Sequence, residues 1–278
     1  MLGVFDSGIG GLSVLRHLPP TLPGVPLLYL ADTAHVPYGP RPLAEVRAFS
    51  EAITRFLLAR GAAEIVVACN TASAAALKPL RLAFPHVPFV GMEPAVKPAA
   101  EHTHTGVVGV LATPATFQGE LFASVVERFA RDVRVIRNTC PGLVEQIEAG
   151  RLETPDTEVM LRSWVEPMLA EGIDALVLGC THYPFVIPLL ERICGPGVRV
   201  IDPAPAVARQ AARLWPDATG ATDAPGLTYC TTGDPVFFDR IRERFGLPKA
   251  PVLALDWRAG DLVFRQPAQG YPNWDKFG

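Results

Sequence analysis

Basic residues in excess, paired cysteines and long apolar runs are all missing from this chain of 278 residues, and each absence removes a class of function. Lys and Arg number 25 against 28 Asp and Glu, a formal net charge of −3. Nucleic-acid binding through bulk positive charge is therefore not expected. No stretch approaches the ~20 consecutive apolar residues of a membrane helix, so no membrane partner is expected either. The five cysteines are Cys69, Cys140, Cys180, Cys194 and Cys230. None forms Cys-x-x-Cys, which excludes a zinc knuckle and a thioredoxin-type pair. An odd, sparse set does not make a disulfide framework. His17, His35 and His86 lack ligand spacing, and His102 and His104 alternate in a loop-like stretch, so no metal is expected. Gly8-Ile9-Gly10-Gly11 lacks the Gly-Lys-Ser/Thr ending of a phosphate loop and the pattern of a dinucleotide fingerprint. The N-terminus runs straight into Gly3-Val4-Phe5 without the charged, apolar and cleavage regions of a signal peptide. The expectation is a globular protein of a reducing, cytoplasmic compartment.

What is present is apolar residue content of 49%, enough for one large domain or two small ones. Proline is abundant, 28 residues, clustered between apolar runs as at Pro37, Pro40 and Pro42. Short apolar runs predict strands at Leu2–Phe5, Leu27–Ala31, Glu64–Ala68, Val87–Val90, Val107–Leu111, Val133–Arg137, Ala175–Leu178, Val198–Ile201 and Leu227–Cys230. Several are apolar throughout, as in strands covered on both faces. Between them lie helical patterns: Leu43, Val46, Phe49, Ile53, Phe56 and Leu57 fall on one face. Thr154 can cap a helix opening at Pro155, with Asp156 and Glu158 at its positive end and Pro167 expected to kink or end it. Strand–helix alternation predicts an α/β fold with mainly parallel sheets. From Trp257 onward the alternation is lost, and an irregular surface tail is expected.

Comparing the chain with itself reveals an echo. Glu64-Ile-Val-Val-Ala-Cys69-Asn70-Thr71 resembles Asp174-Ala-Leu-Val-Leu-Gly-Cys180-Thr181-His182, with the cysteines 111 positions apart. Gly3-Val-Phe-Asp6-Ser7 resembles Gly109-Val-Leu-Ala112-Thr113 at an offset of 106. Asp32-Thr33 echoes Asn138-Thr139 more weakly. Two matched offsets suggest a duplicated α/β unit. Ligands of open parallel sheets bind at the carboxyl ends of strands, where both Cys-Thr elements fall. If the units face each other, Cys69 and Cys180 meet across one cleft, leaving Cys140, Cys194 and Cys230 as packing residues.

Thr71 opens the strong helix former Ala72-Ser-Ala-Ala-Ala-Leu77, so Cys69 should lie at a helix N-terminus, which favours a thiolate. Asp6 can take or pass a proton but would raise a neighbouring thiol's pKa, whereas His182 can do the opposite or act as an acid. The other candidates are neutral: Ser7, Asn70, Thr71, Thr113, Thr116 and Thr181, with backbone N–H groups from Tyr38-Gly39 and from the glycine run. Such a set suits a small anionic ligand.

Four motifs then take on a joint meaning: Asp6-Ser7-Gly8-Ile9-Gly10-Gly11, Asp32 with Pro37-Tyr38-Gly39, Ala68-Cys69-Asn70-Thr71-Ala72, and Gly179-Cys180-Thr181-His182-Tyr183-Pro184. Their set and order resemble the glutamate racemases. The resemblance implies two similar α/β domains with the active site between them, one of residues 1–95 plus 206–278 and one of residues 96–205. It implies a cofactor-independent enzyme that interconverts L- and D-glutamate and supplies D-glutamate for peptidoglycan. It makes Cys69 and Cys180 the catalytic thiols, beside which Asp6 and His182 remain the candidate proton partners already read from the residues. Asp6, Ser7, Pro37, Tyr38, Gly39, Asn70, Thr71, Thr113, Thr116, Thr181 and His182 become the substrate-binding set. A homodimer is implied as well. Some relatives carry an N-terminal extension linked to activation by a cell-wall precursor; with a first strand at residue 2, no such activation is expected here.

The chemistry fits the echo. Racemisation removes the α-hydrogen from one face and returns one to the other, so two opposed bases suffice. Hydrogen-bond donors and exclusion of water can stabilise the carbanion-like state, and domain closure could supply both. Two alternatives stand beside this reading: a two-cysteine racemase for aspartate, and a catalytically silent binding protein.

Overall fold

A computed structural model describes residues 1–216 and 226–265. The chain opens with β1 (Leu2–Asp6), α1 (Leu12–Leu15), α2 (Leu18–Thr21), β2 (Leu27–Ala31), α3 (Leu43–Leu58), β3 (Glu64–Val67), α4 (Asn70–Ala83), β4 (Phe89–Gly91) and α5 (Val96–His102). It continues with β5 (Val107–Ala112), α6 (Pro114–Gln118), α7 (Glu120–Phe129), β6 (Arg134–Thr139), α8 (Leu143–Glu148), α9 (Pro155–Ala170) and β7 (Ala175–Gly179). A 3-10 turn (Tyr183–Val186), α10 (Ile187–Cys194), β8 (Arg199–Ile201), α11 (Ala204–Leu214), β9 (Leu227–Thr231), α12 (Pro235–Arg244), β10 (Val252–Arg258) and β11 (Asp261–Phe264) follow.

Strands form because runs such as Leu27–Ala31 and Ala175–Gly179 are buried along their whole length, which requires helices on both faces. They assemble into two sheets, β11-β10-β9-β2-β1-β3-β4 and β6-β5-β7-β8, parallel except for the antiparallel β10–β11 pair. The fold is thus α/β, in two similar units.

The duplication is visible in strand order and register. β2-β1-β3-β4 and β6-β5-β7-β8 follow one plan. Asp6 pairs with Ala31 as Ala112 pairs with Thr139, and Phe5 pairs with Val67 as Leu111 pairs with Leu178. Cys69 and Cys180 therefore occupy equivalent positions, two residues past Val67 and Leu178. The weaker echo is corrected by two residues: the register makes Asp32 equivalent to Cys140, not to Asn138, because β6 runs to Thr139.

Two local expectations change. Thr154 does cap α9, accepting the Thr157 N–H at 3.3 Å, but the helix runs through Pro167 to Ala170. Pro167 removes one hydrogen bond near the helix end, and burial of Leu161, Val165 and Met168 outweighs it. The stretch after Trp257 is no loose tail up to Arg265. β10 and β11 form a hairpin at the sheet edge, turned at Ala259 (φ 49°) and Gly260 (φ 88°). Both turn residues are left-handed, the geometry that matches strand twist, and alanine there gives little sequence signal. Residues 266–278 lie outside the described residues.

One apolar cluster runs across the boundary between the units, joining Val4, Ile9 and Leu12 to Leu143, Ile147, Leu178 and Tyr183. Within the first unit, Glu64 is 0% exposed, and neither carboxylate oxygen has a hydrogen-bond partner among the described residues. Burial raises its pKa from 4.5 to about 8. Across that window the unfolded chain ionises while the folded one keeps its proton, so stability falls as pH rises. Glu64→Gln cannot ionise. Its Tm is expected to gain on that of the wild type between about pH 5 and pH 8; parallel Tm curves across this range would show that the burial penalty is not expressed.

Candidate active site

The carboxyl ends of the central strands β1 and β3 meet those of β5 and β7. Asp6 closes β1 and is 0% exposed. Its Oδ2 accepts the N–H groups of Gly8 (3.1 Å) and Gly11 (2.9 Å), and its Oδ1 accepts the Thr181 hydroxyl of the other unit at 3.2 Å. Burial raises the Asp6 pKa, against the opposing pull of His182 and these N–H groups. The glycine run therefore turns the N–H groups of Gly8, Ile9 and Gly11 onto the Asp6 and Glu148 carboxylates, and the expectation that it offers them to a ligand is corrected. Its glycines are needed for space: a Cβ on Gly10 would run into the His182 ring and the Thr181 hydroxyl.

Cys69 is the N-cap of α4, its Sγ accepting the Ala72 N–H at 3.4 Å, and its S–H donates to the Ser7 hydroxyl at 3.8 Å. The helix terminus is where it was expected, but its effect is outweighed. Burial first, then the Asp6 charge, push the thiol well above its usual range. Cys180 follows β7, and its Sγ lies 3.7 Å from His182 Nδ1. His182 Nε2 lies 2.6 Å from Glu148 Oε1, which also accepts the Ile9 N–H at 2.9 Å. Burial lowers the His182 pKa, but the hydrogen bonds to Cys180 and Glu148 prevail and hold it well above its usual value.

Thr71 of the first unit meets Thr113 of the second, hydroxyl to hydroxyl, at 2.9 Å, and Thr113 meets Thr116 at 2.9 Å. Thr113 also caps α6, with Pro114 as its first residue. The Val36–Pro37 peptide is cis, and Gly39 packs so closely on Thr113 that an added Cβ would lie 2.9 Å from the threonine Cβ. Tyr38 turns its hydroxyl away to Asp32, at 2.6 Å.

Ser7, Pro37, Tyr38, Gly39, Cys69, Asn70, Thr71, Thr113, Cys180, Thr181 and His182 line one cleft of about 260 Å³ together with Val144. Both thiols face this space, one from each unit. Asp6 and Thr116 support it from behind, through Thr181 and Thr113. Among the described residues no Lys or Arg lines it, and His182 is its one basic side chain. Asn70 is 2% exposed, yet neither amide atom has a hydrogen-bond partner among the described residues. A buried amide left this way is suited to a polar ligand.

An outer pocket of about 580 Å³ adjoins the cleft and shares Pro37, Gly39, Thr113 and Val144 with it. Cys140 lines it and is buried in the apolar cluster that also holds Tyr183. Cys230 is fully buried in the first unit, and Cys194 is half-buried at the end of α10. Glu148 was not singled out by sequence. It is an ordinary acid on a short amphipathic helix, 34 positions from its histidine. Among the described residues no group of three or more His, Cys, Asp or Glu could hold a metal, and no helix is long and apolar enough to cross a membrane.

Comparison with known proteins agrees with the motifs. Residues 12–211 match the Asp/Glu/hydantoin racemase family. A glutamate racemase of Roseiflexus sp. (strain RS-1) is 52% identical over 251 residues, 89% of this chain and 92% of that one. Among solved structures, the glutamate racemase isoform RacE1 of Bacillus anthracis is 30% identical with a TM-score of 0.81, covering 92% of this chain and 97% of that one. Escherichia coli glutamate racemase, solved with L-glutamate and the activator UDP-MurNAc-Ala, is 33% identical with a TM-score of 0.79 over 91% and 97%.

Proposed function

Since the chain belongs to the Asp/Glu/hydantoin racemase family and groups there with the glutamate racemases, we propose that it interconverts L- and D-glutamate by a two-base mechanism with Cys69 and Cys180. The observation that carries this reading is the pair of thiols, at equivalent positions of a duplicated unit, bordering one cleft beside the unpartnered Asn70 amide.

In each direction one cysteine, as thiolate, takes the α-proton and the other, as thiol, gives its proton to the opposite face. One S–H forms as one breaks, the substrate leaves inverted, and the thiols have exchanged proton states. His182 stands 3.7 Å from the Cys180 sulfur and can pass a proton to or from it. Asp6 acts on Cys69 through its charge and on Thr181 through a hydrogen bond. Ser7, Asn70, Thr71, Thr113 and Thr181 surround the substrate with neutral donors, and Pro37, Tyr38 and Gly39 form the facing wall. Such donors, fixed in a water-poor cleft, stabilise charge that develops on the α-carboxylate without an electron sink. The enzyme needs no cofactor in this scheme.

The same reading makes residues 1–95 with 206–278 one domain and 96–205 the other, in line with β9–β11 extending the sheet of β1–β4. It also makes the protein a cytoplasmic homodimer that supplies D-glutamate for peptidoglycan. The test is incubation of purified protein with L- or D-glutamate in deuterated buffer, without added cofactor. Both enantiomers are expected to converge on the racemate while gaining deuterium at C2, and aspartate to react far more slowly. Retention of optical activity by both glutamates would refute the assignment.

A further inference from the structure

The cleft wall at Tyr38-Gly39 is held by a part of the chain that does not touch the cleft. Asp32, 0% exposed, ends the β2 strand path and gathers four polar partners, three of them donors. Its Oδ2 receives the Tyr38 hydroxyl at 2.6 Å and lies 2.9 Å from His35 Nδ1. Its Oδ1 receives the Thr232 hydroxyl at 2.8 Å and the indole N–H of Trp257 at 2.7 Å. Trp257 belongs to β10, in the edge hairpin. Its ring also packs on Phe49 (5.5 Å between centroids) and on His35 (5.0 Å), and Phe49 lies 5.7 Å from the Tyr38 ring.

We propose that Trp257 is a positioning residue for substrate binding: through Asp32 it fixes the Tyr38-Gly39 segment that walls the cleft. A buried carboxylate is costly unless its lone pairs are filled, and a saturated one holds every donor in place. Trp257 supplies one of the two donors on Oδ1, and Tyr38 depends on the orientation of the same carboxylate. The neighbouring segment is pinned in the same way, since Thr232 Oγ1 accepts the Ala34 N–H at 2.9 Å and the Thr33 and Thr231 hydroxyls meet at 2.9 Å. Trp257 thereby ties the last strands of the chain to a wall built from its first forty residues. Gly39, pressed against Thr113 across the cleft, carries any displacement of Tyr38 to the opposite unit.

The inference rests on the racemase reading for its substrate, and its test separates the two. Trp257→Phe keeps a ring and removes the N–H. Circular dichroism confirms that the variant is folded, and calorimetry gives the Kd of glutamate independently of turnover. The expected result is a rise of roughly three- to tenfold in Kd and KM for both enantiomers, with kcat changed less than KM. Tyr38→Phe breaks the far end of the same relay, so the double variant should show an effect close to the larger single one rather than their product. A folded Trp257→Phe protein with Kd and KM within twofold of wild type would overturn the inference, and so would multiplicative effects in the double variant. A wild type that binds glutamate without racemising it would overturn the proposed activity and leave this inference to be judged on Kd; one that does neither would overturn both.

Discussion

Cys69→Ala and Cys180→Ala should each lower kcat for racemisation by ~10²–10⁴-fold, the range a positioned acid or base contributes. The loss is expected in both directions, because every turnover uses one sulfur to abstract and the other to donate. Isotope exchange separates the roles. A variant that keeps one base can still remove the proton from the enantiomer that presents it to that side and return deuterium to the same face. Cys69→Ala and Cys180→Ala should therefore each wash deuterium into only one enantiomer without inverting it, and the enantiomer should differ between them. The protein should remain folded, since alanine fills most of the volume of cysteine at both positions. Cys194→Ser, away from the cleft, is the control and should keep wild-type turnover. Racemisation at wild-type rate by both alanine variants would end the two-thiol mechanism.

The second large effect is expected at the buried pair His182 and Glu148. His182→Asn should lower kcat by ~10²-fold or more, since it removes the proton-bearing group next to Cys180. Glu148→Gln tests how that group is charged. Burial alone would lower the His182 pKa; the Cys180 and Glu148 contacts raise it well above the ordinary value. With the carboxylate gone, burial regains weight and the pKa falls. A limb of the kcat/KM profile that requires cationic His182 should then move to lower pH. Stability should follow the same sign. The wild-type pair stabilises the fold below the raised pKa, and that contribution is lost as pH rises through it, so the variant should lose it at lower pH. Profiles of Glu148→Gln that superimpose on wild type, in activity and in Tm, would show that Glu148 does not set the charge of His182.

The sequence carried the strands because parallel strands covered on both faces read as apolar blocks, and all nine such blocks are strands in the structure. It carried the thiol pair because duplication left two Cys-Thr elements at matched strand ends. Glu148 was hidden because its role depends on a histidine of another element, and nothing in Leu-Val-Glu-Gln-Ile-Glu distinguishes one acid from the next. The edge hairpin was hidden because its turn is Ala259-Gly260 rather than Asn-Gly, and with it went the link from Trp257 to Asp32. The environment of Cys69 was legible in geometry but not in sign. A helix terminus can be read from composition, whereas complete burial beside Asp6 is a property of the assembled fold.

The repeated strand order of the two units has a consequence for the reaction proposed here. L- and D-glutamate have identical free energies in water, so the equilibrium constant is unity, and thermodynamics requires kcat/KM to be equal in the two directions. A site whose two bases sit at equivalent positions of a repeated unit meets that requirement with two similar half-reactions. The repeat is imperfect, however: Asn70-Thr71 follows one cysteine and Thr181-His182 the other, and Asp32 is matched by Cys140. Such broken symmetry cannot tilt the equilibrium. It can only shift kcat and KM together, so that one enantiomer is held more tightly and turned over more slowly by the same factor.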